Sequence, residues 1–416
     1  MARLLFVHQN FPGQFPHIAD AAVAAGHEVR AIGSRSARPR PGVEVRGWAL
    51  GRGSTPGIFD PATRAEADLL RGGAAAEVAS RLKAKGYEPD LIIGHPGWGE
   101  TIHLSEVFPE TPQILFGEFY YRAVGADVHF DPEFETWSLA SAMRVHAKNA
   151  TLALAYADAS AIVCPTPFQA STLPAAFQPL VRILHEGVDL DRARRVAQAR
   201  LRLPDGRVLD GSRPVITFIN RTLERLRGFH VFMRALPALL AARPDAEVVI
   251  LGQEEGRGYG SSLAPGETWK SVMLAELGDR IDLSRVHFVG RVPHEEMIQA
   301  LSLSWAHVYL TYPFVLSWSL VEAMGCGCLI VASDTAPVRD AIEHGVNGLL
   351  VDFFDPDALA RTLIDACEDP RRHDGLRAAA QTAARSRFDR ATVGVPGWMA
   401  LIDEFAGQRV QRGPRP

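Results

Sequence analysis

Two arginines and one glutamate stand where this chain could do chemistry. In FINRTLERLRGFHVF, Arg221 and Arg227 flank a loop that leads into a helix. Two guanidiniums beside a helix N-terminus can hold a diphosphate through bidentate, charge-assisted bonds; a solvated basic loop is the alternative. In HVYLTYPFVLSWSLVEAMGCGCLIVAS (307–333), Glu322 sits in the first turns of an expected helix among apolar neighbours. It is either a ligand-facing acid or an acid complementing the helix dipole. A third group, Glu118 and Arg122 with Phe119, Tyr120 and Tyr121, follows the strand-like QILF. Acid, base and aromatics at a strand end suit a ligand cleft or an ordinary polar loop. His95, in HPGWGE, is a further candidate of the same kind.

Two other patterns carry less. Asp189 and Asp191 form an Asp-x-Asp pair, but they lie at a turn and helix start, where capping accounts for them. Cys326 and Cys328 have no second Cys/His pair at ligand spacing, and with Cys164 and Cys367 read as small buried residues. No metal and no cofactor is expected.

The elements needed to position these residues are legible as alternation. RLLFVH, a loop containing Gly13, the helix HIADAAVAAG and the strand HEVRAIGS open a doubly wound domain. Gly13 is the one glycine of that loop, so the G-x-G-x-x-G fingerprint is absent. VEVRGWAL, a long helix over 61–85, DLIIGH, QILF, a helix over 136–158 and AIVCPT continue the series into a sheet of six or seven strands. A second series starts at PVITFIN and runs through FHVFMRALPALLAA, AEVVILG, VHFVGRV, HEEMIQALSLS, HVYLTYP and CLIVAS. GQEEGRGYG (252–260) is a polar glycine-rich loop in that series. Strands alternating with helices imply parallel sheets covered on both faces.

The expected organisation is therefore α/β, with a first domain over 1–190, a linker over 191–212 and a second domain over 213–385. Residues 386–416 hold a helix packing back on the first domain and a frayed QRGPRP end. At 416 residues, 47% of them hydrophobic and 22% charged, the chain has the composition of a soluble two-domain protein. A net charge of −4 gives no reason to expect nucleic acid. The N-terminus lacks the form of a signal peptide and no apolar run reaches a membrane span, so a cytoplasmic location is expected. The arginines of 192–207 suggest a peripheral contact with an anionic membrane face, or simply a solvated connector. Oligomeric state is not legible.

Taken in order, the motifs resemble the GT-B glycosyltransferases of the retaining family 4 type, the group 1 or RfaB-like enzymes. The resemblance rests on RLLFVH with Gly13 and GHEV, IVCPTPFQ, HEGVD, NRTLERLRGF, FVGRV, VEAMGCGCLIVASD and EHGVNGLLVD, and spans nearly the whole chain. It implies two Rossmann-like domains facing each other across a deep cleft. It also implies transfer of a sugar from a nucleotide-diphosphate sugar to a glycan, glycolipid or small-molecule acceptor, typically in cell-surface polysaccharide assembly. Arg221 and Arg227 would neutralise the diphosphate, and Glu322 would accept from the ribose hydroxyls. Arg291 and Val292 would lie by the base, the backbone of Ser317, Trp318 and Ser319 would line the donor pocket, and Gly13 would approach the donor phosphates. His95, Glu118 and Arg122 would face the acceptor, with Glu118 also a catalytic candidate. The chain departs from the family twice: Phe314 stands where the first glutamate of a Glu-x7-Glu pair is usual, and Glu118 where many relatives have histidine. Other readings of the same fold are a nucleotide-sugar epimerase and a non-catalytic nucleotide-sugar binder.

Overall fold

Short, wholly apolar runs such as LIIG and AIVC form strands because only a sheet covered on both faces buries every side chain. The computed structural model describes residues 1–256, 258, 259, 263–369 and 371–411. It divides into two units, Met1–Gly187 with Ala391–Pro416, and Val188–Arg390.

In the first unit the described strands are β1 (Arg3–Val7), β2 (Glu28–Gly33), β3 (Val43–Gly47), β4 (Leu91–Gly94), β5 (Gln113–Phe116), β6 (Ala161–Cys164) and β7 (Val181–Ile183). They form one parallel sheet in the order β3-β2-β1-β4-β5-β6-β7. That order makes β1, β4 and β5 neighbours and brings the loops after them together. One sheet face is closed by the helices Pro16–Ala24 and Val395–Phe405. The latter turns Trp398, Leu401, Ile402 and Phe405 inward, an i, i+3, i+4, i+7 stripe. Each such side chain stabilises the unit by roughly 1.5–3 kcal/mol.

The second unit starts with a hairpin, β8 (Leu201–Arg202) and β9 (Val208–Leu209). Its parallel sheet contains β10 (Val215–Thr222), β11 (Glu247–Gln253), β12 (Val286–Gly290), β13 (Ala306–Tyr309), β14 (Ile330–Ser333) and β15 (Leu349–Val351), in the order β12-β11-β10-β13-β14-β15. Here β10 and β13 are neighbours, so the arginine loop after the first faces the loop after the second.

Several expectations need adjustment. Residues 191–212 are not a separate linker: Ala193, Ala199, Leu201 and Leu203 are buried in the second unit's core. The turn signal Pro204-Asp205-Gly206, with Gly206 at φ +89°, closes the hairpin there. VRI (181–183) is the edge strand of the first sheet rather than part of a connector. The helix Asp374–Phe388 belongs to the second unit, and the chain leaves that unit after Arg390. Strand β13 stops at Tyr309, before the expected LTYP, and beyond it Tyr312 donates its N–H to the Leu226 carbonyl at 2.9 Å. The end QRGPRP beyond Gln411, and Arg257 and Gly260 of the glycine-rich loop, lie outside the described residues.

Several arginines of 192–207 are engaged within the second unit. Arg192 pairs with Glu295 at 2.6 Å and Arg207 with Asp205 at 2.7 Å. Asp189 accepts from the Arg192 N–H at 3.1 Å and pairs with Arg390 at 2.8 Å, a turn-capping role.

Candidate functional site

The second unit places its candidates at the carboxyl ends of its strands. Arg227 is buried, and its Nη1 donates to Tyr309 Oη at 3.2 Å, Thr311 Oγ1 at 2.9 Å and the Val315 carbonyl at 3.0 Å. It is therefore a brace between two loops as well as a charge. Gly228, at φ +66°, is required beside it, since a Cβ there would lie 2.3 Å from Leu310 Cβ. Arg221 is exposed, with its guanidinium 4.7 Å from the centre of the Tyr259 ring. Tyr259 and Phe314 rings lie 5.1 Å apart, and Arg227 sits 5.6 and 5.9 Å from their centres.

The Tyr309 hydroxyl also accepts the Ser317 N–H at 2.8 Å. Ser317 caps the helix Trp318–Gly325: its hydroxyl accepts the Ser319 N–H at 3.3 Å and meets the Ser319 hydroxyl at 2.9 Å. Trp318 is exposed. Glu322 is the fifth residue of this helix, not in its first turn, so dipole complementarity does not account for it. Its Oε1 accepts from His294 Nε2 at 2.7 Å, and its side chain is 14% exposed. His294 begins the helix His294–Leu303, just after exposed Arg291 and half-buried Val292, which packs against the core.

The Glu322 hydrogen bond raises the His294 pKa, against the lowering effect of burial; Glu322 and Glu295 charges help and Arg192 opposes. A raised folded pKa gives stability that is present below about pH 6.5 and is lost as pH rises through the folded value. His294→Ala is therefore expected to cost on the order of 1 kcal/mol or less at roughly pH 5.5, and less at pH 9, read by urea denaturation at both. A larger loss at the higher pH would contradict the charged pairing.

The first unit gathers a second group. His8, His95 and Glu118 follow β1, β4 and β5 directly or within two residues. His95 Nε2 lies 3.4 Å from Glu118 Oε2, and Gln14 Nε2 donates to Glu118 Oε1 at 3.4 Å. Gln169 Nε2 donates to the Glu118 carbonyl at 2.6 Å, fixing the backbone. Burial alone would raise the Glu118 carboxyl pKa, but the facing His95, with His8 and Lys148 nearby, outweighs it and holds the pKa below the ordinary range. Gly13, at φ +53°, packs directly on His8: a Cβ there would lie 2.1 Å from His8 Nε2. Arg122 is exposed and donates to the Ser171 carbonyl, away from the Glu118 contacts. It borders a cavity of about 460 Å³ that includes Tyr120, Tyr121, His146 and Asn149.

The structure thus joins Arg227 to the Ser317 loop through Tyr309, and Glu322 to the segment after Arg291 and Val292. It joins Gly13 to His95 and Glu118 through His8 and Gln14. Sequence reasoning missed His8, Gln14, His294, Tyr309 and Thr311. Only His294 had a local signal, as a polar residue opening a helix straight after a strand-end loop.

Two parallel Rossmann-like sheets with strand-end sites define the GT-B fold class. Residues 25–193 match the family described as "Glycosyl transferase family 4 group", and residues 202–387 match "Glycosyl transferases group 1". The chain belongs to this family of GT-B glycosyltransferases. It is 26% identical over 227 residues to the D-inositol 3-phosphate glycosyltransferase of Thermobispora bispora, covering 54% of this chain and 49% of that protein. It is 28% identical over 264 residues to the GDP-mannose-dependent alpha-(1-6)-phosphatidylinositol monomannoside mannosyltransferase of Mycolicibacterium smegmatis, covering 61% of this chain and 64% of that protein. The match thus spans about half of the first relative's length and just under two thirds of the second's. Among solved structures, sucrose-phosphate synthase from Thermosynechococcus elongatus has a TM-score of 0.71 at 18% identity, covering 98% of this chain and 100% of that one. Anabaena HepE in complex with UDP-glucose has 0.65 at 16%, covering 97% and 100%. At these identities the likeness concerns the fold. No helix among the described residues is long and apolar enough to cross a membrane.

Proposed function

We propose that the protein transfers a sugar from a nucleotide-diphosphate sugar to a hydroxyl acceptor, with retention at the anomeric carbon and without a metal, in assembly of a cell-surface glycan or glycolipid. The observation that carries this reading is the convergence of Arg227, the Ser317-capped loop and Glu322 at the strand ends of one Rossmann-like unit. Glycosyl transfer makes an anionic diphosphate leave, so fixed cations at Arg221 and Arg227 stabilise charge that grows in the transition state. Glu322, oriented by His294, accepts from the ribose hydroxyls. Arg291 and Val292 lie beside the base, and the backbone of Ser317, Trp318 and Ser319 lines the donor pocket. His95, Glu118 and Arg122 make up the acceptor-side half. The names of the relatives support a nucleoside-diphosphate sugar while differing in the base, UDP in HepE and GDP in the mannosyltransferase. A peripheral membrane contact through 192–207 has less support, because Arg192 and Arg207 are paired with acids.

The test is a thermal-shift series with UDP, GDP, ADP and TDP, followed by donor consumption with and without acceptors. A shift with one nucleotide and acceptor-dependent donor loss is expected. Sugar interconversion without an acceptor would point to an epimerase, and binding without consumption to a non-catalytic protein. Glu322→Ala should raise the donor KM by about 10–100-fold, the worth of one or two hydrogen bonds to a charged group. An unchanged KM would remove Glu322 from the donor site.

A further inference from the structure

Two histidines of the first unit, His8 and His95, each accept a backbone N–H at Nδ1. The Asn10 N–H donates to His8 Nδ1 at 2.9 Å, and the Gly97 N–H donates to His95 Nδ1 at 3.1 Å. A nitrogen that accepts an N–H carries no proton, so each imidazole holds its proton on Nε2. His8 Nε2 is 2.6 Å from Gln14 Oε1 and donates to it. That orients the Gln14 amide, whose Nε2 donates to Glu118 Oε1 at 3.4 Å. On the other side, His95 Nε2–H faces Glu118 Oε2 at 3.4 Å. Two backbone N–H groups thus set the direction of the His8 and His95 Nε2–H, one reaching Glu118 through a Gln14 hydrogen bond and the other approaching it directly.

We infer that His8 and Gln14 are positioning residues that, with His95, hold Glu118 as an ionised, acceptor-only carboxylate aimed at the acceptor's hydroxyl. The inference rests on the glycosyltransferase reading above and adds the groups that set Glu118's state. Sheet order makes the arrangement available, since β1, β4 and β5 are adjacent and each contributes one strand-end residue. Three features favour orientation over proton storage. Both carboxylate oxygens face donors, the Glu118 side chain keeps 31% exposure, and the His8 ring is buried. Burial lowers the His8 pKa to about 3, so this ring stays neutral and cannot supply a proton to the carboxylate. The contacts of 3.4 Å are long, as is common before substrate tightens a site. The titratable groups acting on Glu118 are His8, His95, Lys148 and Tyr156. Gly13 belongs to the device because only a glycine lets its loop close over the His8 ring.

The experiment follows the Glu118 carboxyl by carbon-13 NMR of glutamate-labelled protein and, in parallel, the pH dependence of kcat/KM, in wild type, Gln14→Met and His8→Phe. Gln14 is half-buried, so Gln14→Met keeps the test open even where His8→Phe does not fold. Loss of the donor should raise the Glu118 midpoint by roughly half a unit or more, and move the acid limb of kcat/KM upward with it. An unmoved midpoint and limb in folded Gln14→Met would overturn the inference. Glu118→Gln separates the two levels. Full turnover in that variant would refute a role for Glu118 in the reaction, whereas a large loss with an unmoved Gln14→Met profile would refute only the positioning.

Discussion

Replacing Arg227 with alanine is expected to lower kcat/KM for the donor by at least about 10²-fold, or roughly 2.7 kcal/mol of transition-state stabilisation. Two losses combine. A guanidinium placed for the departing diphosphate is gone, and so is the brace from Nη1 to Tyr309, Thr311 and Val315. Those acceptors lie in or just before the loop leading to Ser317, so the donor pocket's backbone should loosen as well. Arg227→Lys separates the contributions, because it keeps the charge but not the guanidinium whose Nη1 reaches three acceptors. The lysine variant should recover part of kcat while retaining a raised donor KM. Steady-state kinetics on both variants, with melting curves to establish folding, is the check. Turnover in Arg227→Ala within about threefold of wild type would exclude Arg227 from charge stabilisation.

The largest stability effect is expected at Glu100. This side chain is fully buried, and among the described residues neither carboxylate oxygen has a hydrogen-bond partner. Burial pushes its pKa up from 4.5 to about 7, opposed by the charge of Arg71 and assisted by that of Asp68. The folded state therefore holds a proton that the unfolded chain releases near pH 4.5, and wild-type stability falls as pH rises between about 4.5 and 7. Glu100→Gln removes that ionisation. The variant should match wild type near pH 4.5 and exceed it by on the order of 3 kcal/mol above pH 7. Urea unfolding at the two ends of this window reads the difference directly. A variant less stable than wild type at pH 8 would mean that Glu100 has a favourable ionised partner.

What could be read from the chain was local. LIIG, AIVC and FHVFMRALPALLAA identify themselves as buried strands or a helix because period and burial depend on neighbouring residues alone. The alternating order of elements, and Arg221, Arg227 and Glu322 as residues of interest, follow from the same local patterns. The Pro-Asp-Gly hairpin at 204–206 was equally local, yet the surrounding arginines masked it as a connector. The glycine at 13 stood out without its cause, which is the His8 ring packed against it.

The tertiary structure decided which of these residues meet. Glu322 and His294 are 28 positions apart, and Gln14 and Glu118 are 104 apart. No periodicity connects such pairs; they touch because sheet order sets strand ends side by side. Likewise the sequence by itself determined that Arg227 stands in a basic loop before a helix. Only the fold, by pairing β10 with β13, made it a buried brace with three acceptors rather than a free surface cation.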